Sequence, residues 1–209
     1  MISLLNLPKP SNAVLDMVTH NINTLQINNS SKKYFDGSQH NKMNCIAGQT
    51  FVCDIPIYLQ LFKEFKFYIT DRFQASIGIF KNVDTSKLSY LPPHIDNVRT
   101  LSLNYVISEG GKNVLTTMYK TTAQNVTKSA IQMELYDNLE IDVAVKTVAN
   151  NWYAIDIQNY HSVDHIENQR VILTLSFNHI NYDYFTSKYE HLLVKDWLPR
   201  MGSNHRHPD

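Results

Sequence analysis

From Phe67 onward the apolar residues of this chain stop recurring at helical spacing and fall into short alternating or continuous runs. FYITDRFQASIGIF comes first, then TLSLNYVI, VLTTMYK, AIQMELY, IDVAVKTV, WYAIDI and RVILTLSF. Alternation sends successive side chains to opposite faces of a sheet, so such a run reads as a strand with one face to bury. Turn residues separate several of the runs: Asn82 to Asp84, Gly110-Gly111, Asp137-Asn138 and Asn150-Asn151. Seven or eight such segments with no helical pattern between them predict an antiparallel sandwich or jelly roll. A parallel sheet would need a crossover, usually a helix, between its strands.

The part before Phe67 is different. Pro8, Pro10 and Ser11 introduce a predicted short helix near residues 12–22, with Ser11 or Asn12 as its cap. Asn28 to Gly48 is polar and reads as a long loop with room for one short strand, either a lid over the site or a disordered segment. Asp54 then caps a second helix, IPIYLQLFKEF, whose first turn tolerates Pro56 and whose residues Ile57, Leu61 and Phe65 share a face. After the strands, Tyr182 to Leu198 reads as a closing helix and GSNHRHPD as a frayed polar tail. The expected organisation is one domain over 1–209: a helical and loop region to residue 66, a β core over 67–180, and a C-terminal helix and tail from 181.

Composition narrows the function classes. Nineteen basic and nineteen acidic residues cancel, so no broad field favours nucleic acid or an acidic membrane. A local group of lysines (Lys32, Lys33, Lys63, Lys66) keeps a nucleic-acid partner open, but only weakly. Charged residues make up 18% of the chain, which leaves much of the surface to Asn, Ser, Thr and Gln and suits a β-rich protein. No segment approaches the roughly 18–20 apolar residues of a membrane helix, and MISLLNLPKPSNAV lacks the basic n-region of an export signal. Cys45 and Cys53 are eight apart without CxxC spacing, so free thiols in or near a core and a cytoplasmic location are expected.

Against this background, His94-Ile95-Asp96, His161 and Arg170 stand out. In a strand, residues i and i+2 point to one face, so His94 and Asp96 would enter the same barrel mouth. Pro92-Pro93 fixes an extended chain just ahead of them. Two imidazoles and one carboxylate can occupy one face of an octahedral ferrous ion and leave three positions open. Arg170 heads an apolar strand, and a buried guanidinium needs an anionic partner; its planar fork suits a carboxylate. Arg99 lies close to these residues and could touch a substrate, but reads first as a solvated arginine at a strand entry; His165 reads as a loop residue. His179, His191, His205 and His207 form no spacing set, and the last two are read as exposed.

These residues carry a resemblance. Residues 90–178, through PPHIDNVRTLSLNYVISEGG and WYAIDIQNYHSVDHIENQRVILTLSF, resemble the double-stranded β-helix core of Fe(II)- and 2-oxoglutarate-dependent dioxygenases, particularly the prolyl-hydroxylase-like branch with its bacterial and phage members. The shared pattern is HxD followed by a strand and a glycine turn, then His-Ser-Val and an arginine; it covers under half the chain. The resemblance implies a mainly β fold with flanking helices, a cupin-like jelly roll. It implies that His94, Asp96 and His161 hold Fe(II) and that Arg170 binds the C5 carboxylate of 2-oxoglutarate. In the family a further polar contact comes from the strand after HxD. Asn104 and Tyr105 are neighbours there and face opposite ways. Asn104 is favoured because it shares parity with Ser102, whereas Leu101, Leu103 and Tyr105 form the face expected to pack. Tyr119, after Thr116-Thr117, is another candidate for the pocket wall.

The implied reaction consumes dioxygen and 2-oxoglutarate and hydroxylates an unactivated C–H of a small molecule or peptide side chain. Asp96 favours hydroxylation over halogenation, because halogenating members lack this carboxylate. Two other readings stay open: a non-catalytic jelly-roll binding module, and a cupin-type metalloenzyme that does not use 2-oxoglutarate. Arg170 paired with an acid of its own chain, and His94 far from His161, would favour the binding module.

Overall fold

The computed structural model describes residues 1–24, 46–82, 89–96, 98–120, 131–133, 139–195 and 197. Its elements are β1 (Ile2–Leu5), α1 (Asn12–Thr24), β2 (Ile46–Val52), α2 (Ile55–Phe65), β3 (Gln74–Asn82), β4 (Ser89–Asp96) and β5 (Leu101–Glu109). Next come β6 (Leu115–Lys120), β7 (Ile131–Met133), β8 (Glu140–Val145), β9 (Trp152–Ile155), β10 (His161–Ile166), β11 (Arg170–Phe177), α3 (Tyr182–Lys188) and a 3-10 turn at Glu190–Leu192. The fold is mainly β. A six-stranded sheet runs β1-β9-β5-β11-β3-β2 and a five-stranded sheet runs β7-β4-β10-β6-β8, with every pairing antiparallel.

The six-stranded sheet has two different faces, as the alternation requires. One face packs under α1 and α2: Val14, Val18, Ile57, Leu61 and Phe65 meet Leu101, Leu103, Tyr105, Leu173, Leu175, Ile77 and Ile79 in the main core. Burying one such aliphatic or aromatic side chain contributes roughly 1.5–3 kcal/mol, so this layer supplies much of the stabilisation. Trp152 is at its centre, edge-on to Phe65 with ring centroids 5.2 Å apart, and its Nε1–H donates to the Pro8 carbonyl over 3.0 Å. The other face looks across to the five-stranded sheet. Val106, Tyr153, Ile155 and Ile2 of the larger sheet meet Met118 and Val145 of the smaller one and close part of the space between them.

The second helix forms as its sequence predicts. Asp54 is its N-cap, accepting from the Ile57 N–H over 3.1 Å, and Ile57, Leu61 and Phe65 are buried. Cys53 is a free buried cysteine, and burial together with Asp54 pushes its thiol up to about 12. The closing helix is shorter than expected. It stops at Lys188, because the chain beyond it pairs with the N-terminal strand: Leu193 bridges Leu5, the Asn6 N–H donates to Leu192 O, and the Val194 N–H to Leu4 O. Strands β1 and β4 lie outside the alternating runs of the sequence. Pro92 and Pro93 are tolerated inside β4 because β7 pairs only with His94 to Asp96 and the β10 register shifts on the other side. The strand Ile46–Val52 begins within the polar stretch; residues 28–45 of that stretch, with the lid assigned to them, lie outside the described residues, as do Cys45, Lys32, Lys33, His205 and His207.

Candidate functional site

Between the two sheets lies a cavity that opens to solvent. Strand β4 contributes His94 and Asp96, β10 contributes His161, β5 contributes Ser102 and Asn104, β6 contributes Thr116, and β11 contributes Arg170 and Thr174. Arg99, between β4 and β5, also lines it. Residues far apart in sequence thus meet because each sheet turns one parity of its strands inward.

The two histidines are brought together by strand register. His161 is the direct partner of His94 in the β4–β10 pair, and their ring centroids are 4.2 Å apart. Each ring is held by a local backbone carbonyl: His94 Nδ1 lies 2.8 Å from Pro92 O, and His161 Nδ1 lies 3.0 Å from Asn159 O. A carbonyl only accepts, so Nδ1 donates in each of these contacts, and the His161 backbone also hydrogen-bonds the His94 ring. Burial lowers both basicities. His94 falls below the usual histidine range, and His161 is pushed down to about 3 by burial and by His94 beside it. Neutral, oriented imidazoles are what metal ligation requires.

Asp96 is buried at the same end, with its backbone N–H on Ile157 O and its carboxylate Oδ2 on Arg99 Nη2. Arg99 is therefore not the freely solvated strand-entry residue expected from sequence. Its acidic neighbour three positions back draws it into the cavity wall. Among the described residues, no group of three or more His, Cys, Asp or Glu side chains stands at metal-binding spacing. The donor types of His94, His161 and Asp96 fit ferrous iron, and Arg99 engages Oδ2 of the Asp96 carboxylate.

Arg170 is 4% exposed. Its Nη1 donates to Glu109 O over 2.9 Å and its Nη2 to Thr147 Oγ1 over 3.0 Å, both neutral acceptors. Among the described residues no carboxylate lies within ion-pair distance of it; the Glu109 side chain instead accepts from the Ala149 N–H. Burial pushes the guanidinium down to about 10, so it remains charged at neutral pH. Its two hydrogen-bond partners are neutral, and the Glu109 carboxylate acts on it only through its charge.

Asn104 lies on the cavity side, as its parity with Ser102 predicts, and Tyr105 lies in the helix-covered core. Ser102 Oγ and Thr174 Oγ1 both donate to Asn104 Oδ1, over 2.7 and 2.8 Å, and all three residues line the cavity. Tyr119 does not line the cavity. Thr116 and Met118 take the inner parity of β6, so Thr117 and Tyr119 face the far side, where Tyr119 OH meets Ser162 Oγ at 3.0 Å and Thr117 Oγ1 donates to Asp164. The same parity argument identifies Thr116, which sequence reasoning passed over, as a wall residue. His165 is also reassigned: it lies within β10 at φ 61°, its ring against Tyr90 with centroids 5.5 Å apart.

No family model and no curated protein matches this sequence. Solved structures do. Escherichia coli ycfD is similar with a TM-score of 0.44 and 13% identity, over 83% of this chain and 47% of that one. A Pseudomonas putida prolyl-4-hydroxylase is similar with a TM-score of 0.44 and 10% identity, over 86% of this chain and 92% of that one. The chain thus spans about half the length of the first of these two proteins. Among the described residues no helix is long and apolar enough to cross a membrane.

Proposed function

We propose that this protein is an Fe(II)- and 2-oxoglutarate-dependent dioxygenase that hydroxylates an unactivated C–H of a small molecule or peptide side chain. One observation carries the reading. His94 and His161, adjacent in register with Nδ1 of each fixed on a carbonyl, line the same cavity as Asp96 and as a buried Arg170 whose hydrogen-bond partners are neutral. The strand order supports a double-stranded β-helix: β3, β11, β5 and β9 are neighbours in one sheet and β4, β10, β6 and β8 in the other. The chain crosses between sheets from β3 to β4, β4 to β5 and β5 to β6, and again from β8 through to β11, as two interleaved Greek keys require.

His94, Asp96 and His161 would hold the iron. With 2-oxoglutarate and dioxygen, the bound metal supplies the oxidising chemistry that yields succinate, carbon dioxide and a hydroxylated product. The protein's own part is binding, orientation and exclusion of water. Arg170 receives the distal carboxylate of 2-oxoglutarate through its planar fork, and Asn104 donates its amide N–H to the co-substrate. The Pro92 and Asn159 carbonyls orient both rings. Ile155, Ile157 and Val163 line the same space with apolar surface and limit access of water to it.

The reading is tested by mixing anaerobic protein with Fe(II) and 2-oxoglutarate and recording the visible spectrum. A weak charge-transfer band is expected and should vanish in His94→Ala. Failure to see the band, or its persistence in that variant, overturns the metal assignment. Succinate formation separates this reading from a cupin that consumes dioxygen without 2-oxoglutarate.

A further inference from the structure

With iron and 2-oxoglutarate bound in the cavity, the reading on which this inference rests, the charges leave one group unmatched. Among the described residues the ionisable lining consists of the two histidines, Asp96, Arg99 and Arg170. As metal ligands the histidines would contribute no charge. The metal dication is matched by Asp96 and by the chelating carboxylate of 2-oxoglutarate, and Arg170 is matched by the distal one. Arg99 then remains as a surplus cation, because the carboxylate it contacts is committed to the metal.

Its position suits a second role. The Arg99 side chain is 33% exposed, against 7% for Asp96, so it stands where the cavity meets solvent and not at its base. Its Nη2 is engaged on Asp96 Oδ2, and the residue lines the cavity. Ser102 and Thr100, the nearest hydroxyl residues after it in the chain, are directed to other partners, Asn104 Oδ1 and the Phe177 carbonyl respectively. Among the described residues, no carboxylate other than Asp96 lines the cavity to neutralise Arg99.

We propose that Arg99 recognises the primary substrate and that this substrate carries a free carboxylate. One surplus positive charge on a planar fork matches one planar anion. Because Arg99 touches a residue that would ligate the metal, the substrate's carboxylate lies close to the reacting centre, and the oxidised carbon is within a few bonds of it. A small carboxylic acid such as a free amino acid meets this requirement. The side chain of an internal peptide residue brings no backbone carboxylate and meets it only if the side chain is itself acidic.

The full-length protein is loaded anaerobically with Mn(II) and 2-oxoglutarate, and water-proton relaxation reports loading and later displacement of metal-bound water. If Mn(II) and 2-oxoglutarate do not load, the site reading itself fails, and the inference fails with it. With loading established, the proteinogenic L-amino acids are titrated beside their carboxamides. At least one acid should bind about tenfold or more tightly than its amide, the change expected for one charge-assisted contact. That ratio should fall toward one in Arg99→Gln and recover in part in Arg99→Lys. Equal binding of acids and amides, binding by neither, or a ratio that survives Arg99→Gln would each overturn the assignment of Arg99 while leaving the metal and 2-oxoglutarate reading standing.

Discussion

Arg170 is the residue whose surroundings most sharply separate ligand binding from fold maintenance. Ion pairs built for stability give a buried guanidinium an acid, whereas Arg170 has a backbone carbonyl and a threonine hydroxyl. Replacing a buried charge by an apolar side chain of similar volume is often neutral or stabilising. Arg170→Met should therefore keep its thermal midpoint within a few degrees of the parent, while affinity for 2-oxoglutarate in the Mn(II) form falls about 10- to 100-fold by calorimetry. A large loss of stability with unchanged affinity would show that Arg170 serves the fold. Gly110 is its steric counterpart. It has a φ of 84°, and an added Cβ would stand 2.7 Å from the Arg170 Cβ. Gly110→Ala should cost about 1–3 kcal/mol in chemical denaturation, from left-handed strain plus the clash, and should weaken 2-oxoglutarate binding as Arg170 is displaced.

At the scale of elements, parity along β5 and β6 decides which polar residues can act. Asn104 faces the cavity and Tyr119 faces away, although both follow the HxD segment and both are polar. Asn104→Ala should weaken 2-oxoglutarate binding several-fold. Tyr119→Phe should leave that binding unchanged and cost about 1 kcal/mol of stability, for the lost contact with Ser162. Calorimetry on the two variants side by side checks the assignment, and a binding defect in Tyr119→Phe would reverse it. Parity within β5 was legible in the sequence, because Leu101, Leu103 and Tyr105 alternate with Ser102 and Asn104. Within β6 the run LTTMYK has polar and apolar residues on both parities, so its inward face could not be read from pattern alone. The last helix failed for a different reason. Its periodicity continues past Lys188, but the backbone of Leu192 to Val194 finds hydrogen-bond partners around β1, and that competition is not encoded locally.

At the scale of the whole molecule, α3 is tied to the chain leading into β3 by a polar clamp. Tyr189 OH donates to Asp71 Oδ2 over 2.8 Å and accepts from the Thr70 N–H, while Lys188 Nζ donates to Asp71 Oδ2 over 3.0 Å. Burial alone would raise the Asp71 carboxyl, but the hydrogen bonds from Lys188 and Tyr189 and the nearby positive charge hold it below its ordinary value. A carboxyl depressed in the folded state stabilises the fold fully above its unfolded value, near 3.9. That stabilisation is lost as pH falls through the lower folded value. The thermal midpoint should therefore drop as acid is added below about pH 4, and Asp71→Asn should flatten that part of the profile. An identical acid profile in the variant would assign the loss to other carboxylates.

Local sequence is enough to specify the mainly β class, the second helix with its cap, and the chemical inventory of the cavity: HxD, a later histidine, and an arginine opening a strand. The parity of i and i+2, like the spacing of Ile57, Leu61 and Phe65, depends only on backbone period, so each can be read without knowing what the residues pack against. What those residues meet was settled by three-dimensional packing. Register alone sets His161 opposite His94, and a slip of one residue in β10 would have turned its imidazole to the far sheet face. Packing also gave Arg99 to Asp96, left Arg170 with neutral partners, and turned Tyr119 away from the cavity. Each of these outcomes rests on contacts between segments or on which face a strand buries, and no local pattern in the chain fixes them.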